Sequence, residues 1–391
     1  MVWTINRQGY LHKTISSVKF AQRNPRYSAY YLKNRRMIRD TIRSYKKTGY
    51  VNPESIRIVA IKLTTSCDLR CSMCFQWREQ GLHSKVSKSK IDIKQADSLF
   101  AFAGNVCRNF VLKGGEPLVH PDFSDFVDGI CSRGSIVNLC TNGTQIHRHM
   151  DVLLEHHSQT TFLISVDGLE ETHDSIREAG SYQKTISNLK TICERKKRDK
   201  LRWVIGIEVT LQPENLNEVQ AIIHTMEKIG VDWIVFNHLW VVPIPARYEL
   251  KEKILKYTLR PPKTLDGFDI PFNDEKVVNR FVEAAEKIKN SKSSVPVFVS
   301  PNFSAKEANL YYKGDLPPPE YYLKFGVKID IDSNGDIVPS TMFPEFSLGS
   351  IYSSSIEEIL QGKLYQSVAE DLRKNAWKVF QADPDSYNFS L

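Results

Sequence analysis

The interpretation of the chain begins with the stretch Lys62-Leu63-Thr64-Thr65-Ser66-Cys67-Asp68-Leu69-Arg70-Cys71-Ser72-Met73-Cys74-Phe75. It follows directly on a strand-like apolar run at residues 56–61 and holds three of the seven cysteines in the spacing C-x3-C-x2-C. Three thiolates on one short loop can face a common point. A structural zinc ion takes four ligands, and a cubane iron–sulfur cluster offers four irons. The loop therefore predicts a metal site with one coordination position left for something other than cysteine.

The composition is that of a folded protein in a reducing compartment. Of the 391 residues, 41% are hydrophobic and 10% aromatic, which is enough for one large domain or two. The sequence has no run of about 18 apolar residues and no secretory-type signal, so we expect neither a membrane span nor export. The odd number of cysteines and their tight cluster argue against a disulfide framework. These features predict a cytoplasmic location.

Positive charge is concentrated in residues 1–55. This segment holds twelve Lys and Arg residues against Asp40 and Glu54, a net charge of +10, whereas the whole chain carries +8. Apolar residues recur at helical spacing on both sides of Pro25, which predicts two helices. Three interpretations remain open: packing on the main domain, contact of residues 1–50 with an anionic membrane surface, or binding of another anionic partner. We expect no specific nucleic-acid recognition, because the sequence lacks helix-turn-helix, zinc-finger and RNP signatures.

From residue 56 onward, strand-like runs alternate with helical ones. The strand-like runs are residues 55–61, 110–112, 136–139, 161–168, 203–210 and 232–238. Six β-then-α units in sequence predict an α/β fold with parallel strands and right-handed crossovers.

Polar motifs follow four of these strands at the point where each strand ends. They are the cysteine loop, Gly-Gly-Glu-Pro at 114–117, Thr-Asn-Gly at 141–143 and Ser-Val-Asp-Gly at 165–168. In parallel barrels the carboxyl ends of the strands form the active face. The four motifs in succession therefore predict one functional site at that end of the sheet.

With these motifs in place, residues 56–370 resemble the radical S-adenosylmethionine (SAM) superfamily, in particular members with a SPASM or Twitch extension. The resemblance implies a partial (β/α)6 parallel barrel over residues 56–300. It places a basic helical extension before the barrel, at residues 1–55, and a small α+β SPASM/Twitch-like module after it, at residues 301–391.

The resemblance also implies the cofactors. One [4Fe–4S] cluster would be held by Cys67, Cys71 and Cys74, with SAM on the fourth iron. An electron from an external flavodoxin- or ferredoxin-type reductant would cleave SAM to a 5′-deoxyadenosyl radical, which abstracts a substrate hydrogen. The alternative for the three cysteines is a structural zinc site with a fourth ligand such as His83.

Further site residues follow from the same resemblance. Those expected to bind SAM are Gly114, Gly115, Glu116, Ser165, Asp167, Arg177 and Thr210. Glycines allow close approach of a ligand, and an arginine suits a carboxylate. The alternatives are a turn-forming glycine pair, a capped strand end and a surface ion pair. Cys140 is a candidate hydrogen donor unless its side chain points outward, and His238 either faces the substrate or is structural.

The C-terminal segment follows the SPASM/Twitch pattern with one departure. Ser340 stands where the module usually has a cysteine, and no cysteine lies beyond Cys193. An auxiliary cluster with thiolate ligands is therefore not expected, which favours a redox-neutral reaction. We also expect an irregular insertion or lid at residues 243–275 and a hairpin at 327–338 with an Asn-Gly turn. A rigid connector is expected around the Pro317–Pro319 run, with Tyr311, Tyr312, Tyr321 and Tyr322.

The leading functional hypothesis is a radical SAM enzyme that modifies a small-molecule, sugar or lipid-linked substrate. The alternative is a peptide maturase, and the hypothesis from another class is a non-catalytic iron–sulfur sensor or scaffold. The strand-end motifs argue against the sensor, since a sensor has no need of a SAM pocket.

Overall fold

The structure, a computed structural model, describes residues 7–77, 89–258, 267–315, 325–340 and 344–375. Its strands are β1 (Ile58–Lys62), β2 (Asn109–Lys113), β3 (Ile136–Thr141), β4 (Thr160–Ser165), β5 (Val204–Thr210), β6 (Trp233–Asn237), β7 (Val297–Ser300), β8 (Lys328–Ile331), β9 (Asp336–Val338) and β10 (Gly349–Ser350). They form one sheet in the order β10-β9-β8-β1-β2-β3-β4-β5-β6-β7.

The helices of the described residues are α1 (Arg7–Arg23), α2 (Pro25–Thr48), α3 (Asp97–Asn105), α4 (Phe123–Cys131), α5 (Met150–Glu155), α6 (Glu170–Ile176), α7 (Ser181–Arg198), α8 (Val219–Ile229), α9 (Ile244–Leu255), α10 (Glu275–Lys289), α11 (Ala305–Lys313), α12 (Ile356–Gln361) and α13 (Lys363–Asn375). None of them is both long and apolar enough to span a membrane. Together with the sheet they make the α/β fold that the sequence predicts.

Strands β1 to β6 pair in parallel and in chain order, and β7 adds a seventh parallel strand beside β6. Side chains alternate between two environments along β2 and β3. In β3, Val137 and Leu139 are fully buried under helices, whereas Asn138 and Cys140 are only half-buried on the other face. A sheet with one helix-covered face and one partly open face agrees with the predicted partial barrel.

The C-terminal hairpin belongs to the same sheet. Strand β8 pairs in parallel with β1, so that Ala60 lies opposite Asp330, and β9 returns antiparallel beside β8. The turn contains the predicted Asn-Gly pair, with Gly335 at a φ of 84° that favours glycine. A buried ion pair supports this register, because Nζ of Lys62 lies 3.2 Å from Oδ1 of Asp332.

The basic N-terminal segment folds into the two expected helices and packs on the amino ends of the strands. The hydroxyl of Ser16 donates to the carbonyl of Val297, the first residue of β7, at 2.7 Å. At the other end of the segment, the hydroxyl of Tyr45 donates to the carbonyl of Ala369 in α13 at 2.6 Å. The two helices therefore connect the β7 edge to the C-terminal part of the chain. The domain boundaries at residues 55 and 300 stay a prediction.

Two sequence expectations about connections were wrong. Residues 243–275 are not irregular throughout, because α9 begins at Ile244 with Pro245 in its first turn, where proline is tolerated. Tyr311 and Tyr312 do not belong to a connector; they are buried in α11. Residues 317–319 of the proposed connector lie outside the described part of the chain.

Candidate functional site

The cysteine loop is anchored by a residue inside its own motif. Asp68 accepts hydrogen bonds from Asn142 Nδ2 at 2.8 Å, Thr144 Oγ1 at 2.6 Å and Gln145 Nε2 at 2.9 Å. Burial alone would raise the pKa of Asp68, but these three hydrogen bonds lower it below its usual value. The charged carboxylate therefore ties the loop after β1 to the Thr-Asn-Gly turn after β3.

The glycine pair after β2 is required by the close approach of two backbones. A Cβ atom on Gly114 would lie 2.6 Å from the carbonyl oxygen of Thr64, and one on Gly115 would overlap the carbonyl of Ser66. The N–H of Gly115 donates to Thr64, and the N–H of Glu116 donates to Ser66, both at 2.8 Å. The glycines thus hold the start of the cysteine loop against the end of β2.

Glu116 connects the ends of β2 and β3. Its carboxylate accepts from Leu118 N at 3.0 Å, Thr141 Oγ1 at 2.7 Å and Asn142 N at 2.7 Å. Only 1% of the residue is exposed. Burial raises the pKa of Glu116 to about 7, although the three donors oppose the shift. A cation bound nearby would favour the charged form.

A buried ion pair lies at the ends of β4 and β5. Arg177 Nε and Nη2 are both 2.7 Å from Asp167 Oδ2, and Nη1 of Arg177 lies 3.9 Å from the sulfur of Cys71. Burial would lower the pKa of Arg177, but Asp167 raises it above its ordinary value. The N–H of Thr210 donates to Asp167 Oδ1 at 2.7 Å, which fixes the carboxylate from the neighbouring strand.

These elements surround one cavity at the carboxyl end of the sheet. The sequence-predicted residues that line it are Cys67, Cys71, Cys74, Gly114, Gly115, Glu116, Cys140, Ser165, Arg177 and Thr210. The three loop cysteines are half-buried, whereas Cys107, Cys131 and Cys193 are buried in the core. Cys140 faces the cavity rather than the helices. Asp167 is fully buried and contributes by holding Arg177.

His238 is not among the residues that line this cavity. It is 1% exposed, its Nδ1 lies 2.8 Å from the hydroxyl of Tyr312, and its ring packs against Phe303 and Tyr311. Burial lowers its pKa to about 3, so the ring is neutral near pH 7. The expectation that His238 faces the substrate is corrected accordingly: the side chain packs in an aromatic cluster behind β6.

An aromatic wall of the cavity was missed from the sequence. Phe75 stacks on Phe268 with ring centroids 4.9 Å apart, and Trp240 stacks near both at 5.9 and 5.8 Å. All three rings line the cavity together with Asp269. Phe75 directly follows a motif cysteine and could have been suspected, but its two partners come from the segment after β6 and required the tertiary structure.

The donor set suits an iron–sulfur cluster better than a single ion. A tetrahedral zinc ion with bonds of about 2.3 Å would hold its sulfurs about 3.8 Å apart. Within the described ranges, the one trio of His, Cys, Asp or Glu atoms that all lie within 4.8 Å of one another is exposed Asp128, exposed Glu155 and buried His156. The sulfurs of the cysteine loop are therefore spaced more widely than one ion requires. His83, the alternative fourth zinc ligand, lies outside the described residues.

The thiols still have to lose their protons to a metal. Burial raises the pKa of Cys71 to about 11, with Arg177 opposing the shift, and burial raises the pKa of Cys67 further. Metal ligation by such thiols releases protons and depends on pH. Cys67, Cys71 and Cys74 are the residues that would hold a [4Fe–4S] cluster, and Gly114–Glu116, Ser165 and Arg177 are the polar groups of the cavity that would bind SAM.

Comparisons with known proteins agree with this site. Residues 61–226 match the radical SAM superfamily. The chain is 24% identical over 328 residues to the antilisterial bacteriocin subtilosin biosynthesis protein AlbA of Bacillus subtilis, covering 81% of this chain and 63% of AlbA. It is 26% identical over 188 residues to the Fe-coproporphyrin III synthase of Methanosarcina barkeri, covering 46% and 44% of the two chains. The chain thus spans less than two-thirds of the length of either relative.

Solved structures share the fold at low sequence identity. The crystal structure of Streptococcus suis SuiB bound to S-adenosylmethionine superposes with a TM-score of 0.59 at 13% identity, over 85% of this chain and 71% of SuiB. SuiB bound to its precursor peptide SuiA gives 0.56 at 14% identity, over 85% and 70%. Residues 61–226, which contain the cysteine loop and the three other strand-end motifs, are thus similar to the radical SAM superfamily, whose members use a [4Fe–4S] cluster and SAM.

Proposed function

We propose that this protein is a radical SAM enzyme that abstracts a hydrogen atom from an organic substrate held in the cavity at the carboxyl end of the sheet. The observation that carries the proposal is the convergence of three half-buried thiols and the strand-end polar groups on that cavity. When bound, the cluster and SAM supply a 5′-deoxyadenosyl radical.

The chain's own residues position these groups and exclude water. Asp68 and the glycine pair fix the cysteine loop, and the aromatic wall of Phe75, Trp240 and Phe268 covers one side of the cavity. Arg247 supports that wall, because its guanidinium donates to the carbonyls of Phe268 and Asp269 at 2.7 and 3.0 Å. A covered, apolar wall protects a reactive intermediate from solvent.

Cys140 is our candidate hydrogen donor to a substrate radical; an electron from the external carrier and a proton then return its sulfur radical to the thiol. Cys140 lines the cavity on β3, opposite Leu163 of β4 in the parallel register. Residues 301–391 contain no cysteine, so the C-terminal module offers no thiolate ligands for a second cluster that could accept an electron. Both features support a redox-neutral outcome.

A peptide is the substrate class that the comparisons favour over the small-molecule, sugar or lipid-linked class preferred from sequence. The match to AlbA, a bacteriocin biosynthesis protein, extends over 81% of the chain, well beyond the barrel motifs. The second candidate is a planar small molecule. It is supported by the three near-parallel rings of the aromatic wall, whose interplanar angles are 11° to 23°.

The electron donor is proposed to be an external carrier of the flavodoxin or ferredoxin type. The cysteine loop is accessible from outside the cavity, since Arg70 and Ser72 between the ligands are exposed. An exposed edge of the loop gives a carrier a short path to the cluster.

Contact with an anionic membrane remains a proposal for the outer face of α2. Arg36, Arg39 and Arg43 are exposed there, together with Leu32, which is 62% exposed. This face lies at the amino ends of the strands, so a membrane bound there would sit at the end of the sheet away from the cavity. Co-sedimentation with phosphatidylserine vesicles, lost in an R36E/R39E/R43E variant, tests the contact; equal sedimentation of both proteins removes it.

The proposed function is tested by anaerobic reconstitution of the full chain. We expect about four irons per chain and formation of 5′-deoxyadenosine with SAM and dithionite. The Cys71→Ala variant should lose the product, whereas Cys131→Ala, which removes a buried cysteine of α4, should retain it. Product formation by Cys71→Ala at the wild-type rate would contradict the proposal. An intact cluster that never cleaves SAM would also contradict it and would favour a sensor instead.

The substrate class is tested with the same assay. Synthetic peptides encoded next to the gene are compared with a low-mass metabolite fraction of the host cell. Substrate should raise 5′-deoxyadenosine above the uncoupled rate and give a product of changed mass or stereochemistry. Stimulation by the metabolite fraction alone would replace the peptide with the planar small molecule.

A further inference from the structure

The buried ion pair of Asp167 and Arg177 has a third member, a cysteine of the metal-binding loop. Two nitrogens of the guanidinium bind Asp167 Oδ2 at 2.7 Å, and the remaining one, Nη1, lies 3.9 Å from the sulfur of Cys71. Arg177 is 8% exposed and Asp167 is fully buried. The charges are therefore poorly screened by water and act strongly on the sulfur.

Hydrogen bonds within the protein hold this arrangement. The N–H of Ser72 donates to the carbonyl of Ile176 at 2.8 Å, which ties the residue after the cysteine to the residue before the arginine. Thr210 N donates to Asp167 Oδ1 at 2.7 Å, and Asn215 Nδ2 donates to the Asp167 carbonyl at 2.8 Å. The orientation of the guanidinium is thus set by the ends of β4 and β5.

We propose that Arg177 is a positioning residue for the cluster itself: Asp167 holds its guanidinium against the sulfur of Cys71, and its charge makes the cluster easier to reduce. The inference rests on the proposed function, because it requires a cluster on the cysteine loop. Reduction adds one electron to the cluster, and the potential of an iron–sulfur cluster depends on nearby charge and on hydrogen bonds to its sulfurs. A buried cation beside a ligand sulfur stabilises the added negative charge.

This role differs from the one implied by the family resemblance, in which Arg177 contacts SAM. A residue that acts only through SAM leaves the SAM-free cluster unchanged. A residue that acts on the sulfur shifts the potential before SAM is added. The reduction potential of the SAM-free protein therefore separates the two roles.

The test is a redox titration of the reconstituted full chain without SAM, followed by the electron paramagnetic resonance signal of the reduced cluster. Arg177→Met should shift the midpoint to a more negative potential, and Arg177→Lys, which keeps the charge, should shift it less. Equal midpoints for wild type and Arg177→Met would overturn the inference. So would a shift in Arg177→Lys as large as that in Arg177→Met.

A matched control removes a cation from another partly buried pair. Lys196 lies 2.6 Å from Asp232 at the amino end of β6, away from the cysteine loop. Lys196→Met should leave the midpoint unchanged, and a shift equal to that of Arg177→Met would show a non-specific effect and overturn the inference. If Arg177→Met does not hold a cluster, Arg177→Gln removes the charge but keeps a hydrogen-bond donor for Asp167, and it should give a more negative midpoint; an unchanged midpoint would overturn the inference.

Failure of this inference can be distinguished from failure of the proposed function. If the wild-type chain holds far fewer than about four irons, the proposed function fails with it. If wild type and Arg177→Met both hold about four irons at one potential, and only the affinity for SAM falls, the proposed function stands and Arg177 is a SAM ligand alone.

Discussion

The two ends of the parallel strands are built in different ways. At the carboxyl ends, charged side chains are held in small hydrogen-bonded networks, such as half-buried Asp68 with three donors and buried Asp167 with Arg177. At the amino ends, α1 and α2 cover the sheet. They pack through aromatic rings, with the ring centroids of Phe20 and Trp233 6.1 Å apart, and they donate hydrogen bonds to backbone carbonyls such as that of Val297.

The carboxyl ends of the strands therefore carry the functional site, and the contacts at the amino ends stabilise the fold. Each network at the carboxyl end joins loops from different strands, so that one substitution there disturbs the cavity. The contacts at the amino end join the helical extension to the sheet and to α13, and their loss costs stability without reaching the cavity. In parallel α/β folds the carboxyl ends carry the chemistry, which agrees with this division.

Gly115→Ala, at the carboxyl ends of the strands, is the substitution for which we expect the largest effect, a loss of iron binding. In Gly115→Ala the new Cβ would overlap the carbonyl of Ser66, which must move the cysteine loop. We expect iron content after reconstitution to fall at least about tenfold, the scale at which disturbed support of metal ligands weakens binding. The matched control is Gly104→Ala, whose Cβ would meet only Arg133 at 3.7 Å or more. Equal iron content in both variants would contradict the requirement for close approach.

Much of the fold could be predicted because local signals agree with the tertiary structure. Strands β1 to β6 coincide with the predicted runs to within a few residues, since buried parallel strands are continuous apolar runs. The hairpin of β8 and β9 was readable from its Asn-Gly turn. The pairing of β8 with β1 was not, because a pairing between residues 58 and 328 has no local signal.

The site shows the same limit. The cluster cysteines and the glycine pair lie in contiguous motifs, so the sequence could place them. The aromatic wall could not be found, since Trp240 and Phe268 reach Phe75 only through the fold. The sequence left His238 open between a substrate-facing and a structural role, because it follows Asn237 at a strand end; only the tertiary structure shows that its ring packs against α11.

At the amino ends, Tyr45→Phe should lower stability without affecting the cavity. The substitution removes the hydrogen bond to the carbonyl of Ala369, which keeps its helical backbone partner within α13. The expected cost is about 0.5–1.5 kcal/mol in the free energy of unfolding, measured by denaturant titration. The control Tyr248→Phe changes a residue that is 65% exposed and should be neutral. Loss of iron binding in Tyr45→Phe would contradict the separation of the two ends.

The smallest expected effect concerns acid stability and tests the structural role of His238. Its folded-state pKa is about 3, whereas an unfolded histidine titrates near 6.5, so the unfolded chain binds the extra proton first. Stability is therefore complete above about pH 7 and falls as the pH drops through 6.5 toward 3.

We expect His238→Gln to remove this loss, which amounts to about 0.7 kcal/mol between pH 7 and pH 6. The measurement is the difference in unfolding free energy of each protein between these two pH values. Burial raises the pKa of Glu116 to about 7, which gives stability the opposite dependence, but this contribution is the same in both proteins and cancels. An identical pH dependence would mean that His238 is protonated in the folded state, and the ring would then have to reach solvent or a carboxylate rather than pack behind β6.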